Sequence, residues 1–134
     1  MRAACAVLAF LLAGCGRPGP VPDVCDMPPG LSWVHAHVRW SGVMIGGDEH
    51  GYVLGCDRHL RGLRLDWDEG TRGREALEPL LGRPGLLRVT IEGQLRDGET
   101  GIYLFATAFD RPRLQPMTEK EEFDWFDKLE RAPR

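Results

Sequence analysis

The strongest constraint on the fold is a run of alternating apolar and polar residues that begins at Val34. The apolar members are Val34, Ala36, Val38 and Trp40, and the polar members between them are His35, His37, Arg39 and Ser41. This period of two predicts a strand with one face in the core and the other toward solvent. Gly42 then interrupts the alternation, and a glycine inside a strand indicates a bulge or bend. We therefore predict one long first strand over residues 32–45, bent at Gly42.

Four further strands are predicted along the rest of the chain. They cover residues 50–55, 62–67, 86–95 and 102–109. Gly93 predicts a second bend, in the fourth strand. The fifth strand is almost wholly apolar, which predicts that it is central in the sheet or covered on both faces, and Pro112 and Pro116 are expected to end it.

Two helices are predicted from local signals. Residues 74–81 form a short helix that ends at Gly82. Thr118 and Glu121 form a capping box, which opens a second helix that runs to about Arg131. Its narrow apolar face, which we expect to dock on the sheet, consists of Phe123, Phe126 and Leu129, while Trp125 lies off that face.

The order of these elements, with a long first strand bent at a glycine, resembles the oligonucleotide/oligosaccharide-binding (OB) fold. The resemblance covers about residues 32–110 and rests on the pattern of elements. It implies a mainly β protein, a five-stranded OB-like barrel over 32–116 with a short helix between strands three and four. A C-terminal helix and tail follow over 117–134. A six-stranded sandwich or meander with a packed helix is the alternative.

The first residues have the form of an export signal. Arg2 precedes a short apolar run, Ala3–Leu12, that ends in small residues. The run has about ten residues, whereas a membrane span needs roughly 20. Its ending, Leu12-Ala13-Gly14-Cys15, resembles the lipobox of bacterial lipoproteins. That resemblance implies a signal peptide over 1–14 and acyl chains, palmitate among them, on Cys15; an ordinary secretory signal cut elsewhere is the alternative.

The lipobox resemblance also implies a location, the cell envelope, with the protein facing the periplasm. Gly16 follows the cysteine, where enteric lipoproteins retained in the inner membrane carry Asp, so the outer membrane is favoured over the inner. Residues 15–31 are rich in Pro and Gly and predict a linker between anchor and domain. The segments His50–Leu54 and Leu63–Leu65 further resemble small lipoproteins of Gram-negative bacteria, a resemblance that carries no activity with it.

The cysteines predict one disulfide. Cys5 leaves with the signal and Cys15 carries the lipid, so Cys25 and Cys56 remain as a pair in an oxidising compartment. Two separate thiols, one of them a metal ligand, are the alternative. A nucleophilic pair of Cys56 and His59 would require a reduced cysteine.

Charge and motifs exclude several functions. The formal net charge of −3 disfavours nucleic-acid binding and electrostatic adhesion to anionic lipid. The sequence has no Gly-x-Ser-x-Gly, His-Glu-x-x-His or phosphate-binding Gly-rich motif. His35 and His37 could chelate a metal, but two histidines leave an open site. We therefore predict no enzymatic activity, no cofactor and no metal site.

The polar face of the first strand is the best candidate for binding. It comprises Trp33, His35, His37 and Arg39. An aromatic ring beside basic groups can stack on a sugar or hold an anion. We predict a lipid-anchored envelope protein whose barrel binds an envelope protein or a small oligomeric ligand. A structural accessory lipoprotein that acts through its C-terminal helix is the alternative, and an enzyme or metal-binding protein ranks last.

Overall fold

A computed structural model of the chain describes residues 21–26, 34–46, 51–59 and 62–133. The strands are β1 His37–Gly46, β2 Tyr52–Gly55, β3 Leu63–Asp66, β4 Gly85–Gly98 and β5 Gly101–Pro116. The helices are α1 Arg74–Leu77, continued by the 3-10 turn Glu78–Leu80, and α2 Glu119–Glu130, and a further 3-10 turn covers Val24–Asp26. Nowhere in these segments is there a helix with the length and apolar character that crossing a bilayer requires.

The five strands close into a barrel in the order β1-β2-β3-β5-β4, and β4 pairs back onto β1. Every pairing is antiparallel except that of β3 with β5, which is parallel. The parallel pair follows from the connection, because α1 and β4 intervene before β5 returns beside β3. This order, with one helix between β3 and β4 and another at the C-terminus, confirms the predicted OB-like barrel.

The alternating residues fill the barrel as predicted. The fully buried side chains of the strands include Leu54, Ile91, Leu95 and Leu104. Gly42 faces the partner strand so closely that an added Cβ would lie 2.5 Å from the carbonyl oxygen of Gly55. This close approach is the physical reason for glycine at the predicted bend.

The first strand begins later than predicted, at His37 rather than at residue 32. His35 takes a φ of 72°, a left-handed conformation that an extended strand does not contain. The chain nevertheless stays beside β4, because the His35 N–H donates to the Leu95 carbonyl oxygen at 2.7 Å. The alternation of apolar and polar residues therefore begins before the strand, in the turn that contains Val34 and His35.

The fifth strand is longer than predicted and passes through Pro112 to Pro116. Between the pairs Thr90–Asp110 and Arg88–Arg113 the register shifts, so that β5 has one residue more than β4. Pro112 lies in this β-bulge, where its missing N–H breaks no ladder hydrogen bond. The prediction that Pro112 ends the strand was wrong because a bulge accommodates proline.

Helix α2 begins as predicted. The Glu121 N–H donates to the Thr118 hydroxyl at 3.2 Å, and the Thr118 N–H donates to the Glu121 carboxylate at 3.3 Å. Leu129 is buried and Phe126 half-buried, but Phe123 is 69% exposed. The predicted docking of Phe123 is therefore wrong, since the helix is rotated so that Trp125, itself half-buried, turns toward the barrel instead.

Candidate functional site

The four residues of the predicted binding face have different surroundings. Trp33 lies outside the described residues, and His35 occupies the turn before β1. His37 is exposed in β1 and pairs with Gln94 of β4. The Arg39 guanidinium is engaged, since it lies 2.8 Å from the Asp110 carboxylate and 3.5 Å from that of Glu92. Of the described members, His37 is the better placed to meet a ligand.

A second set of side chains extends this surface across the outside of the barrel. On β5, Leu104 and Ala106 are buried in the core. Tyr103 and Phe105 alternate with them and are half-buried on the outer side of the barrel. The register aligns Tyr103 with Arg64 of β3 and with Arg96 of β4. The next row aligns Phe105 with Asp66, with Gln94 and, through Gln94, with His37. We call this surface the aromatic face; its members are Arg64, Asp66, Gln94, Arg96, Tyr103, Phe105 and His37.

Hydrogen bonds and a cation–π contact fix the polar groups of the aromatic face. The Arg96 guanidinium carbon lies 4.0 Å from the centre of the Phe105 ring, and its Nε donates to the Gln94 side-chain oxygen at 3.2 Å. Arg64 donates to the Thr100 hydroxyl at 2.6 Å. A shallow depression of about 320 Å³ lies between Arg64, Tyr103 and the β4–β5 turn. The rings and guanidinium planes are thus held in place by hydrogen bonds and the cation–π contact within the protein.

A cleft of about 630 Å³ opens elsewhere, between the N-terminal segment 21–26 and the wall of β1, β4 and β5. The segment is attached to the barrel along its length. The Ser41 N–H donates to the Pro22 carbonyl oxygen at 3.0 Å, and Asp23 forms a β-bridge with Ser41. The predicted disulfide joins Cys25 to Cys56, with their Cα atoms 6.0 Å apart. One wall of the cleft is therefore covalently held.

Three arginines line this cleft, and we call it the arginine cleft. Arg88 is paired, since its NH1 and NH2 atoms lie 2.7 and 3.1 Å from the two carboxylate oxygens of Asp57. Arg111 and Arg113 are exposed, and in the described part of the chain no carboxylate lies within ion-pair distance of either. The other carboxylate of the lining, Asp23, lies 3.9 Å from Arg58. The three arginines and two aspartates of the lining therefore leave one net positive charge, and Arg111 and Arg113 belong to no ion pair among the described residues.

Asp57 and Arg88 shift each other's pKa values. The hydrogen bond from Arg88 is the largest influence and holds the pKa of the Asp57 carboxyl below its usual value; burial opposes it, and a hydrogen bond with the Trp125 side chain lowers it further. The same pairing raises the pKa of Arg88 above its usual value. Asp57 thus links the cleft to helix α2 and keeps Arg88 in place.

The disulfide also bears on the metal and nucleophile alternatives. Cys25, Cys56 and His59 offer ligand atoms within 4.8 Å of one another, and the Cys25 sulfur lies 4.0 Å from the His59 Nδ1 atom. In the disulfide both sulfurs are bonded to each other, so neither is a thiolate that could bind a metal or attack a substrate.

The aromatic face and the arginine cleft were both missed from the sequence. For the aromatic face a signal exists: Tyr103, Phe105 and Thr107 occupy alternate positions, between the buried Leu104, Ala106 and Ala108. The prediction that the fifth strand is central or covered on both faces concealed it. No protein-family model, curated protein or solved structure matched this chain.

Proposed function

We propose that this protein is a lipid-anchored cell-envelope protein whose barrel binds a small oligomeric ligand on the aromatic face. Its role is recognition and not catalysis. The supporting observation is the placement of Tyr103 and Phe105 on the outside of β5, directly beside β3. In OB-type barrels ligands bind on the face of strands two and three, between the loops that follow strands one and four. The aromatic face shares β3 and the β4–β5 turn with that region, but it is centred on β5 and includes no residue of β2.

The chemistry of the aromatic face fits an oligosaccharide. An aromatic ring offers a flat apolar surface to the C–H groups of a sugar, and the neighbouring polar groups bind its hydroxyls. Tyr103 supplies the accessible ring, and Gln94, Asp66 and Arg64 supply donors and acceptors within two register rows. The protein's acidic net charge argues against an oligonucleotide as the ligand.

Replacing Tyr103 by Ala should weaken oligosaccharide binding about fivefold or more, if a sugar stacks on the ring as strongly as a nucleic-acid base, for which one aromatic side chain contributes about 1–3 kcal/mol. Isothermal titration against fragments of envelope glycans would measure the affinity. Tyr103→Phe keeps the ring and should retain most of the binding. Phe123→Ala, which removes an exposed ring from another surface, is the matched control. Equal affinity of the wild type and Tyr103→Ala would refute the proposed ligand face.

Anchoring has its own test. Cys15→Ser should abolish lipid attachment, so that the protein leaves the membrane fraction or accumulates as an uncleaved precursor. Cys5→Ser makes the same chemical change inside the proposed signal and should leave processing and membrane association unchanged. Membrane fractionation and mass measurement of the purified protein would report both results. A Cys15→Ser protein that still matures and remains with the outer membrane would contradict lipidation.

A second candidate function, a structural accessory lipoprotein, has one specific observation in its favour. Phe123 is the one large hydrophobic side chain that is exposed among the described residues. It lies on α2, the helix proposed to contact an envelope protein. Binding to such an envelope protein would bury the Phe123 ring, which the barrel leaves exposed.

A further inference from the structure

We propose that the arginine cleft is an anion site that binds a phosphate-bearing group. The site is separate from the aromatic face, because it is walled by segment 21–26, β1 and the bulged part of β5. Its volume of about 630 Å³ is ample for a phosphorylated headgroup. Three observations support this assignment: the unbalanced charge, the backbone at Arg111 and the attached N-terminal wall.

The charge arrangement of the cleft favours an anionic ligand. Arg113 lies directly opposite Arg88 in the β4–β5 register, and like charges in that position repel each other. Arg88 is neutralised by Asp57, but Arg111 and Arg113 lack any such partner in the described segments. A bound anion would neutralise the charges of both and relieve this repulsion.

The backbone at Arg111 is also unusual. Its φ is 51°, in the left-handed region that arginine rarely adopts. Phe109 is buried, so regular alternation would turn residues 111 and 113 toward the core as well. The extra residue of the bulge shifts this alternation, so that both arginines line the cleft instead. Bulges that re-aim side chains in this way are enriched beside binding sites. The fold therefore adopts an uncommon conformation where it places both unpaired arginines on one cavity.

The hydrogen-bond donors of the arginine cleft favour phosphate over other anions. Guanidinium groups match the oxygens of phosphate with paired N–H donors, and the two unpaired cations match the charge of a dianion. Thr90 and Ser41 add hydroxyl groups to the lining. A monocarboxylate would leave one of the two cations without a counter-charge.

The phosphate has two possible sources, a lipid headgroup or a soluble phosphorylated molecule. The cleft lies beside Pro22, and residues 15–22 span at most about 25 Å when fully extended. If Cys15 is lipidated, the cleft is held within reach of the headgroup region. The lipid source thus rests on the proposed anchoring, whereas the phosphate site itself does not.

The test follows the arginine Nε–H signals of the full chain in nonionic detergent by ¹⁵N NMR. One arm titrates inorganic pyrophosphate, and the other adds phosphatidic acid, whose phosphomonoester can carry two charges, or phosphatidylcholine to the micelles. We expect saturable shifts of the Arg88, Arg111 and Arg113 signals. In Arg111→Gln/Arg113→Gln the Arg88 signal remains, and it should report an affinity at least tenfold weaker. Arg83→Gln/Lys128→Gln removes the same charge from exposed positions elsewhere and should bind like the wild type.

The outcomes separate the possibilities. Shifts with pyrophosphate alone support a soluble phosphorylated ligand, and shifts with phosphatidic acid but not phosphatidylcholine support an anionic headgroup. Absence of saturable shifts in both arms, or equal weakening in both double variants, would overturn the site. Tyr103→Ala should leave phosphate binding unchanged, so failure of the aromatic face and failure of the arginine cleft can be told apart.

Discussion

Loss of the Cys25–Cys56 disulfide is expected to lower the free energy of unfolding by about 3–4 kcal/mol, because the cross-link restricts the unfolded chain. The bond spans a sequence separation of 31 residues. The enclosed loop contains β1 and β2, the two strands that carry the first hairpin of the barrel. Few single changes on the surface of this protein should have a comparable effect, because its ion pairs are partly exposed and each contributes about 0–1 kcal/mol.

Urea unfolding of the wild type and of Cys25→Ser/Cys56→Ser would measure this difference. The wild type unfolded in the presence of a thiol reductant is the matched control, since it loses the bond without any substitution and should show the same lowered midpoint. An unchanged midpoint in the double variant would contradict the expectation. Rapid alkylation of both cysteines in the native protein would do so as well, and would leave Cys25, Cys56 and His59 as three neighbouring metal ligands.

The parts of the fold that could be predicted are those that local sequence controls. Alternation from Val38 to Trp40 identifies a strand because a period of two is a property of the strand itself. Gly42 marks a close approach that no other residue permits. Thr118 and Glu121 fix the start of α2 because the capping hydrogen bonds join residues three apart.

The parts that could not be predicted depend on strands that are distant in sequence. β5 continues through Pro112 only because β4 accommodates an extra residue opposite Val89. Tyr103 and Phe105 belong to an apolar run, and only the final pairing with β3 and β4 shows that their side chains lie outside the barrel.

The arginine cleft could not be predicted either, because it depends on contacts between distant parts of the chain. Arg88 and Arg113 lie opposite each other because β4 and β5 pair, and the opposite wall comes from segment 21–26, which the disulfide holds in place. The chain's net charge of −3 correctly describes the whole protein, but it averages over this local excess of positive charge. Patterns within a window of ten residues contain none of this information.

Leu129 and Phe123 were both predicted to lie on the apolar face of α2, but the observed orientation of the helix buries only Leu129. Substitutions at the two positions should therefore differ in their effect on the free energy of unfolding. Leu129 is 3% exposed and Phe123 is 69% exposed. Truncating a buried Leu to Ala costs about 2–5 kcal/mol, and we expect the lower part of this range for Leu129→Ala because a single helix can relax around the gap. Phe123→Ala should change the free energy of unfolding by less than about 0.5 kcal/mol, as for other exposed positions.

Urea unfolding of the two variants would test the comparison, and capture of partners from detergent-solubilised envelope would test what the exposed ring is for. A helix of this length is marginal in water by itself, so α2 depends on burial of Leu129 or on a partner. If the helix docks as described, Leu129→Ala destabilises the barrel and Phe123→Ala does not. If Phe123→Ala in addition abolishes co-purification with a specific envelope protein that the wild type retains, the accessory function gains over ligand binding. Equal stability of both variants and the wild type would contradict the docking of α2 on the barrel.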